Sequence, residues 1–428
     1  MTNSKHTIAV VGTGYVGLTT GACLAKLGHR VTCVDSDLEK LSRIEAGVMP
    51  IYEEGLSEIV KEGQSDGRLT FTSELLAAVS DAEFIFLCLP TPPDKDGFAD
   101  LSAIRLVAKE FQGHLVPGAI VVNKSTVPVN SARMVEDLID NKHVSVVSNP
   151  EFLREGSAVH DFLNPDRIVI GCNDPLAGEK VAALYLGSRC PVVVTDPISA
   201  ESIKYMANAF LALKISFVNQ AADFCDAVGA NITEVMRGLS FDPRIGSTFL
   251  NPGPGWGGSC FPKDTKALVA SATHVGRPMT LVEEAIRSND SHILRIAQLI
   301  DESATNEKGL SSRIAILGLS FKANTDDVRE SPALEILKVL LKKYTNVVAY
   351  DPHAKFSDSF KFDRVNSLAE AVTKADLVVV LTEWPEFIKF EATSYAELMS
   401  GKTIVDARYV LNADRFAGEG ITIRSLGR

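Results

Sequence analysis

At 428 residues the chain exceeds one ordinary hydrophobic core, so two or three domains are expected. Its 46% hydrophobic and 23% charged content fits a soluble globular protein, and a net charge of −11 argues against nucleic acid or an anionic membrane surface as a general partner. A locally basic pocket for an anionic small molecule is still compatible with that charge. The seven cysteines form no CxxC pair and the eight histidines no HxxxH or HExxH cluster, so neither disulfides nor a metal site has support, and a reducing cytoplasm is expected.

The chain opens "MTNSKHTIAVVG", which enters a strand with no signal peptide ahead of it, and no apolar run reaches the roughly 18 residues that span a bilayer. "TIAVVG", "RVTCVD", "EFIFLCLP", "AIVVNKS", "SVVSNP", "RIVIG" and "PVVVTD" read as short buried strands separated by helices, which predicts a parallel sheet covered on both faces. After Pro197 the pattern changes. Apolar residues recur at helical spacing without another proline, so residues 198–228 are predicted as one long helix stopped at Gly229. More helix is expected near 263–273 and 278–302, and the polar "DESATNEKGLSS" reads as a linker. A second alternating region follows in "SRIAILGLSFKAN", "NVVAYDP", "ADLVVVLT", "KTIVDA" and "ITIRSL". Residues 8–35 and 314–351 share a layout of strand, glycine turn, helix, and strand ending in aspartate. The expected fold is α/β, with two doubly wound Rossmann-like domains joined by a long central helix and a helical middle region. The boundaries are 1–197, 198–302 and 311–428. Apolar residues around much of the long helix need cover, which makes a homodimer the expected state.

"VVGTGYVGL" places Gly12, Gly14 and Gly17 in GxGxxG spacing, directly after a strand and at the opening of a helix. Gly12 permits the tight turn, Gly14 lets backbone approach a pyrophosphate, and Gly17 lets helix and strand pack closely. A second strand ends at Asp35, where a carboxylate can bond ribose hydroxyls and repel a 2′-phosphate. NAD is therefore expected over NADP, with Lys40 nearby to moderate the preference. A lone Cys260 in "GWGGSCFPKDTKAL" reads either as a packed thiol or as a nucleophile aided by Lys263 and a helix N-terminus.

The pieces "PIYEEGL", "KSTVPV", "SNPEFLREGSAVHD", "IKYMANAFLALKISFVN", "DPRIG", "GWGGSCFPKDT", "GLSFKANTDDVRESPAL" and "AYDP" occur in order along essentially the whole chain. Together with the glycine turn they resemble the UDP-glucose 6-dehydrogenase family of nucleotide-sugar dehydrogenases. The resemblance implies a four-electron oxidation of UDP-glucose to UDP-glucuronate with two NAD, and makes Cys260 the nucleophile. It assigns Lys204 and Asn208, four apart on the predicted helix, to a developing oxyanion. It gives Asp264 a water shared with Thr126, and Glu155, supported by Glu151, the hydrolysis of a thioester. Cofactor contacts would come from Gly12, Gly14, Tyr15, Val16, Gly17, Asp35, Lys40, Thr91, Ser125, Thr126, Glu155, Lys263 and Arg329. Substrate contacts would come from Glu151, Phe152, Leu153, Arg154, Glu155, Lys204, Asn208, Arg244, Phe249, Leu250, Gly257, Cys260, Phe321, Lys322 and Arg408. Arg244 would reach across the dimer.

"GGSCFPKD" with "FLREG" favours UDP-glucose over GDP-mannose or UDP-N-acetylmannosamine. Trp256 stands where phenylalanine is commoner, open to sugar stacking or to core packing, and Pro90 of "CLPTPP" replaces a usual glycine. A single-hydride 3-hydroxyacid dehydrogenase would need neither Cys260 nor a second α/β domain. A catalytically silent nucleotide-sugar sensor would not need Cys260, Lys204, Asn208 and Asp264 intact.

Overall fold

The computed structural model describes residues 5–185, 187, 189–355 and 362–428. The chain divides into two compact units, Met1–Ala207 with Lys266–Gly276, and Asn208–Thr265 with Arg277–Arg428.

In the first unit the strands are β1 (Thr7–Val11), β2 (Arg30–Val34), β3 (Leu69–Thr72), β4 (Phe84–Leu87), β5 (Ile120–Asn123), β6 (Ser145–Ser148), β7 (Ile168–Cys172) and β8 (Val192–Thr195). They form an eight-stranded sheet in the order β3-β2-β1-β4-β5-β6-β7-β8. β-Branched residues suit this pleated surface, and both faces are covered, as the apolar runs predict. Ile8 and Val10 enter one hydrophobic cluster while Ala9 and Val11, pointing the other way, enter a second. The strand order reverses beside β1, which leaves a crevice at the carboxyl ends of β1 and β4.

Two expectations about this sheet need correction. It is mixed rather than wholly parallel, because β6 and β7 pair antiparallel with Val147 opposite Cys172 and Ser148 opposite Gly171. The connection between them is an irregular loop with the short helix Ala158–Leu163, and β7 returns beside β6 in the opposite direction. β8 is not buried: Val192, Val193 and Val194 are 45%, 41% and 56% exposed on an edge strand. β3, "LTFT", was not among the predicted strands, and it is the opposite edge.

The second unit holds β9 (Ile314–Leu317), β10 (Val347–Tyr350), β11 (Asp363–Arg364), β12 (Leu377–Val380), β13 (Thr403–Asp406) and β14 (Thr422–Arg424), in the order β11-β10-β9-β12-β13-β14 with every pairing parallel. Ile314 and Ile316 face one cluster, Ala315 and Leu317 the other. This sheet repeats the order around the central strand of the first, and Asp351 follows β10 as Asp35 follows β2. The copy differs in chemistry. Asp351 accepts the backbone N–H groups of Leu319 and Ser320, the Ser320 hydroxyl and the Trp384 indole N–H, so the protein's own turn fills it.

The long helix is Pro197–Val228, and the two further predicted helices are Phe261–His274 and Thr280–Glu307. Thr280–Glu307 runs through half of the predicted linker. Ser303 and Ala304 are buried there, and most of the other residues of that stretch lie on the outer face of a helix. Among the described residues no helix is long and apolar enough to cross a membrane, and no group of His, Cys, Asp and Glu side chains could hold a metal ion.

Candidate active site

In the first unit the candidate residues gather at one edge of the sheet, each in the segment that leaves a strand at its carboxyl end. Gly12–Gly17 follow β1, Asp35 follows β2, Thr91 lies just beyond β4, Ser125 and Thr126 follow β5, and Glu151–Glu155 follow β6. Gly12 has φ +96°, and a Cβ there would lie 2.5 Å from the Cys88 carbonyl oxygen. One on Gly17 would lie 1.8 Å from the Gly12 carbonyl oxygen. A Cβ on Gly14 would meet nothing within 4 Å. Gly14 is also the N-cap of the helix Tyr15–Lys26, which has no side-chain cap, so its first N–H groups are available to an anion. The residues present therefore fit a dinucleotide pyrophosphate.

Asp35 accepts the Thr13 N–H at 2.8 Å, the Thr13 hydroxyl at 2.7 Å and the Lys40 ammonium at 2.5 Å. Burial opposes its charge, yet Lys40 and Thr13 prevail and bring its pKa down to about 2. An ionised carboxylate at this strand end suits ribose hydroxyls, and the Lys40 pair tempers its repulsion of a further phosphate. The two strand-end loops are tied together: Ser125 Oγ donates to the Leu89 carbonyl at 2.7 Å, and Thr91 Oγ1 to the Thr126 carbonyl at 2.9 Å.

Lys204, on the long helix, donates to Glu151 Oε1 at 2.9 Å, and both side chains are almost fully buried. Burial alone would raise the Glu151 pKa, but the Lys204 charge and hydrogen bond hold it below the usual range. Glu151 Oε2 accepts the Leu153 N–H, Arg154 pairs with Asp161, and the Arg167 guanidinium lies 3.7 Å over the Phe152 ring. The antiparallel turn of β7 explains Arg167: it precedes β7 and so returns to the edge that β6 has just left.

Three residues of this unit escaped the sequence reading. Glu53 Oε1 accepts the Ala158 N–H, and Oε2 accepts the Gly156 N–H and the Tyr15 hydroxyl, so it ties "PIYEEGL" to the glycine-turn helix and to the segment after Glu155. Lys124 is buried, with its ammonium on Asn149 and Tyr185. Glu201, one turn before Lys204, accepts the Ala132 N–H at 2.8 Å and the Ser148 hydroxyl at 3.0 Å. Burial pushes the Glu201 carboxyl up to about 7. The folded chain therefore holds this proton more tightly than the unfolded one, and stability falls as pH rises from 4.5 to 7. Glu201→Gln is expected to flatten that slope, with a gain over wild type at pH 8 of up to roughly 3 kcal/mol that shrinks to under about 1 kcal/mol near pH 5. Urea melts at the two pH values measure it.

In the second unit, Cys260 immediately precedes the helix Phe261–His274, and its carbonyl accepts the Asp264 N–H at 2.8 Å. Cys260 is partly exposed and adjoins the positive end of that helix. The other cysteines contrast with it. Burial pushes the thiols of Cys23, Cys33 and Cys88 well up, and Cys225 is buried; Cys172 and Cys190 are partly buried and are shifted the same way. Asp264 is fully buried and accepts Asn208 Nδ2 and Lys263 Nζ, each at 2.6 Å. Asn208 and Lys263 are thus held by one carboxylate four residues beyond the thiol.

The wall before Cys260 is fixed through backbone. Asn219 accepts the Gly253 N–H, His292 bonds the Gly253 carbonyl, and Asn289 both accepts the Trp256 N–H and donates to the Trp256 carbonyl. Trp256 is 6% exposed and its indole N–H donates to Ser216, so it packs in the core instead of presenting a face for stacking. A Cβ on Gly257 would fall 2.0 Å from the Glu330 carbonyl oxygen, and one on Gly258, at φ +83°, 2.8 Å from the Phe321 ring. Both glycines are required for the cysteine turn to lie against the segment 321–330. Asn219, His292 and Asn289 were not singled out from the sequence; the one signal was Asn219, an amide in a largely apolar stretch of the long helix.

The remaining predicted cations are already engaged. Arg408 donates to the carbonyls of Leu381 and Phe321, which sets it beside Lys322. Arg329 pairs with Asp327 and Arg244 with Asp242, and both arginines are largely exposed. Phe249, in the left-handed region at φ 61°, is partly exposed, and Leu250 is buried.

Comparison with known proteins follows this arrangement. Residues 6–187 match the NAD binding domain of the UDP-glucose/GDP-mannose dehydrogenase family, residues 198–291 its central domain, and residues 315–413 its UDP binding domain. The chain belongs to that family. This dehydrogenase is 42% identical to a UDP-glucose 6-dehydrogenase of Rhizobium meliloti, over 98% of the chain and 99% of the relative. Among solved structures it resembles a UDP-glucose dehydrogenase from Pyrobaculum islandicum, with TM-score 0.88 and 35% identity, covering 100% of this chain and 98% of that one. A UDP-D-ManNAc dehydrogenase from Pyrococcus horikoshii is close in shape as well, at TM-score 0.87 and 28% identity, over 98% and 99% of the two chains. The glycine turn, Asp35 and the Glu151–Lys204 pair are therefore parts of an oxidoreductase of the NAD-dependent nucleotide-sugar dehydrogenase family.

Proposed function

We propose that the protein oxidises UDP-glucose to UDP-glucuronate in two two-electron steps, using NAD and a covalent intermediate on Cys260. One observation carries the reading: Cys260 stands at a helix N-terminus on a turn locked by Gly257 and Gly258, while burial pushes the Cys23, Cys33 and Cys88 thiols well up. A primary alcohol loses one hydride and one proton to become an aldehyde. The aldehyde has no sp3 carbon bearing a hydride, so the second oxidation needs an adduct. Attack by the Cys260 thiolate forms a C–S bond and a thiohemiacetal, loss of its hydride and hydroxyl proton leaves a thioester, and water cleaves the C–S bond to release acid and thiol. NAD, when bound at Gly12–Gly17 and Asp35, would accept each hydride.

The side chains divide that work. Lys204 and Asn208 supply donors to oxygen as negative charge develops, and their carboxylate partners Glu151 and Asp264 aim them. Asp264 and Thr126 hold water or the substrate hydroxyl, and Glu155 activates water on the thioester. Lys322 and Arg408 meet the nucleotide sugar, with Arg244 added from a second copy. A homodimer is supported by Phe210, Phe217 and Phe224, spaced by seven on the long helix and 63%, 59% and 66% exposed.

The likeness to the P. horikoshii enzyme favours a second reading, oxidation of a UDP-N-acetylhexosamine by the same chemistry. The test counts NADH formed per nucleotide sugar across UDP- and GDP-sugars and identifies the products. Two NADH and UDP-glucuronate from UDP-glucose are expected. A single NADH with aldehyde as the end product, or turnover of a different sugar only, would overturn the assignment.

A further inference from the structure

Lys124 stands outside every role described so far, yet its surroundings are unusual. Its side chain is buried in the first unit, and its ammonium donates to Asn149 Oδ1 at 3.0 Å and to the Tyr185 hydroxyl at 3.1 Å. Both partners are uncharged, and the ring of Tyr185 lies 5.4 Å from the same nitrogen. A buried cation hydrogen-bonded only to uncharged groups destabilises a fold, so simple stability does not account for it. Its position does. Lys124 is two residues before Thr126, and Asn149, which it holds, is two residues before Glu151. Asn149 is anchored in turn: its backbone N–H donates to the Asn123 carbonyl and its side-chain amide to the Val169 carbonyl.

The groups facing Lys124 come from four elements. Cys88 follows β4, Glu151 follows β6, Tyr185 follows the helix Pro175–Ala183, and Lys204 comes from the long helix. Glu151 favours the ammonium and Lys204 opposes it; Asp161, Asp166 and Arg167 line a cavity of about 40 Å³ on which Lys124 also borders.

We infer that Lys124 is a positioning residue for the oxidation: its buried ammonium fixes Asn149 and Tyr185, and through Asn149, two residues before Glu151, its charge holds the Glu151 segment in register. The inference rests on the reading that Glu151 and Lys204 serve the reaction. Burial brings the Lys124 pKa down to about 8, so the charge is lost within an accessible range.

Lys124→Met is expected to lower kcat by roughly tenfold or more, the scale of a lost charge-assisted hydrogen bond, with KM for NAD little changed. Lys124→Arg keeps the charge at high pH, and the adjoining cavity gives the larger head room. It should restore kcat and move the alkaline fall, near pH 8 in wild type, up by more than about one unit. Tyr185→Phe removes one acceptor from the ammonium and should move that fall to lower pH.

A second readout needs no substrate. Wild type should gain stability as pH rises from about 8 to 10.5, because there the unfolded chain holds a proton that the folded chain has released. Lys124→Met should lose that gain in melting temperature. Wild-type kcat and alkaline limb in Lys124→Met, or an unmoved limb in both Lys124→Arg and Tyr185→Phe, would overturn the inference. Should wild type fail to oxidise nucleotide sugars while the melting difference is present, the functional reading falls and the buried charge of Lys124 stands.

Discussion

Cys260→Ser is expected to bind NAD and UDP-glucose as wild type does and to form UDP-glucuronate slower by on the order of 10³-fold or more, the scale at which removal of a covalent nucleophile usually registers. Serine preserves the shape of the turn, since Gly257 and Gly258 determine its backbone and the Cys260 carbonyl still accepts the Asp264 N–H. What it removes is the ionisable sulfur. A hydroxyl at the same helix N-terminus stays protonated, because the dipole end stabilises an anion by about 1 kcal/mol and a serine hydroxyl is many pH units from ionising. Under the proposed scheme the first oxidation does not need the sulfur, so a first NADH should survive while the second is lost. Quenched reactions with wild type should carry sugar mass on the peptide containing residue 260. Full acid formation by the serine variant would remove the covalent scheme.

Lys204→Ala should lose about 10²–10³ in kcat, the usual scale for one oxyanion donor, with a smaller change in the substrate dissociation constant. It should also unfold more easily. Lys204 and Glu151 are 4% and 5% exposed, so deletion of the ammonium strands a carboxylate in low dielectric, at a cost of roughly 3–5 kcal/mol. The two effects separate in the double variant Lys204→Ala/Glu151→Ala, which removes the stranded charge. Melting temperature should recover in part and kcat should not. Recovery of both would make Lys204 a structural partner of Glu151 alone, and unchanged turnover in the single variant would take it out of the mechanism.

The elements were legible where their cause is local. Continuous Val and Ile runs gave the interior strands, helical spacing gave Pro197–Val228 almost to the residue, and the glycine turn announced its own function through spacing and the strand before it. Each is set by neighbours a few residues away: steric pleating, the 3.6-residue repeat, a positive φ. Polar composition misled at the supposed linker because one face of a helix was read as the whole segment. β7 misled because a strand's sequence does not record its direction, and with it went Arg167, which reaches Phe152 only in an antiparallel return.

The residues that hold the site were the least visible. Glu53 reaches Ala158 across 105 positions, Asn289 reaches Trp256 across 33, and Glu201 reaches Ala132 across 69. The sequence by itself determined the α/β class and the dinucleotide turn, since those depend on short-range sterics and residue chemistry. Only the tertiary structure decided which carboxylate is ionised, which lysine is buried and which amide clamps the glycine wall. Burial and distant partners govern those states, and both exist only once the chain is packed.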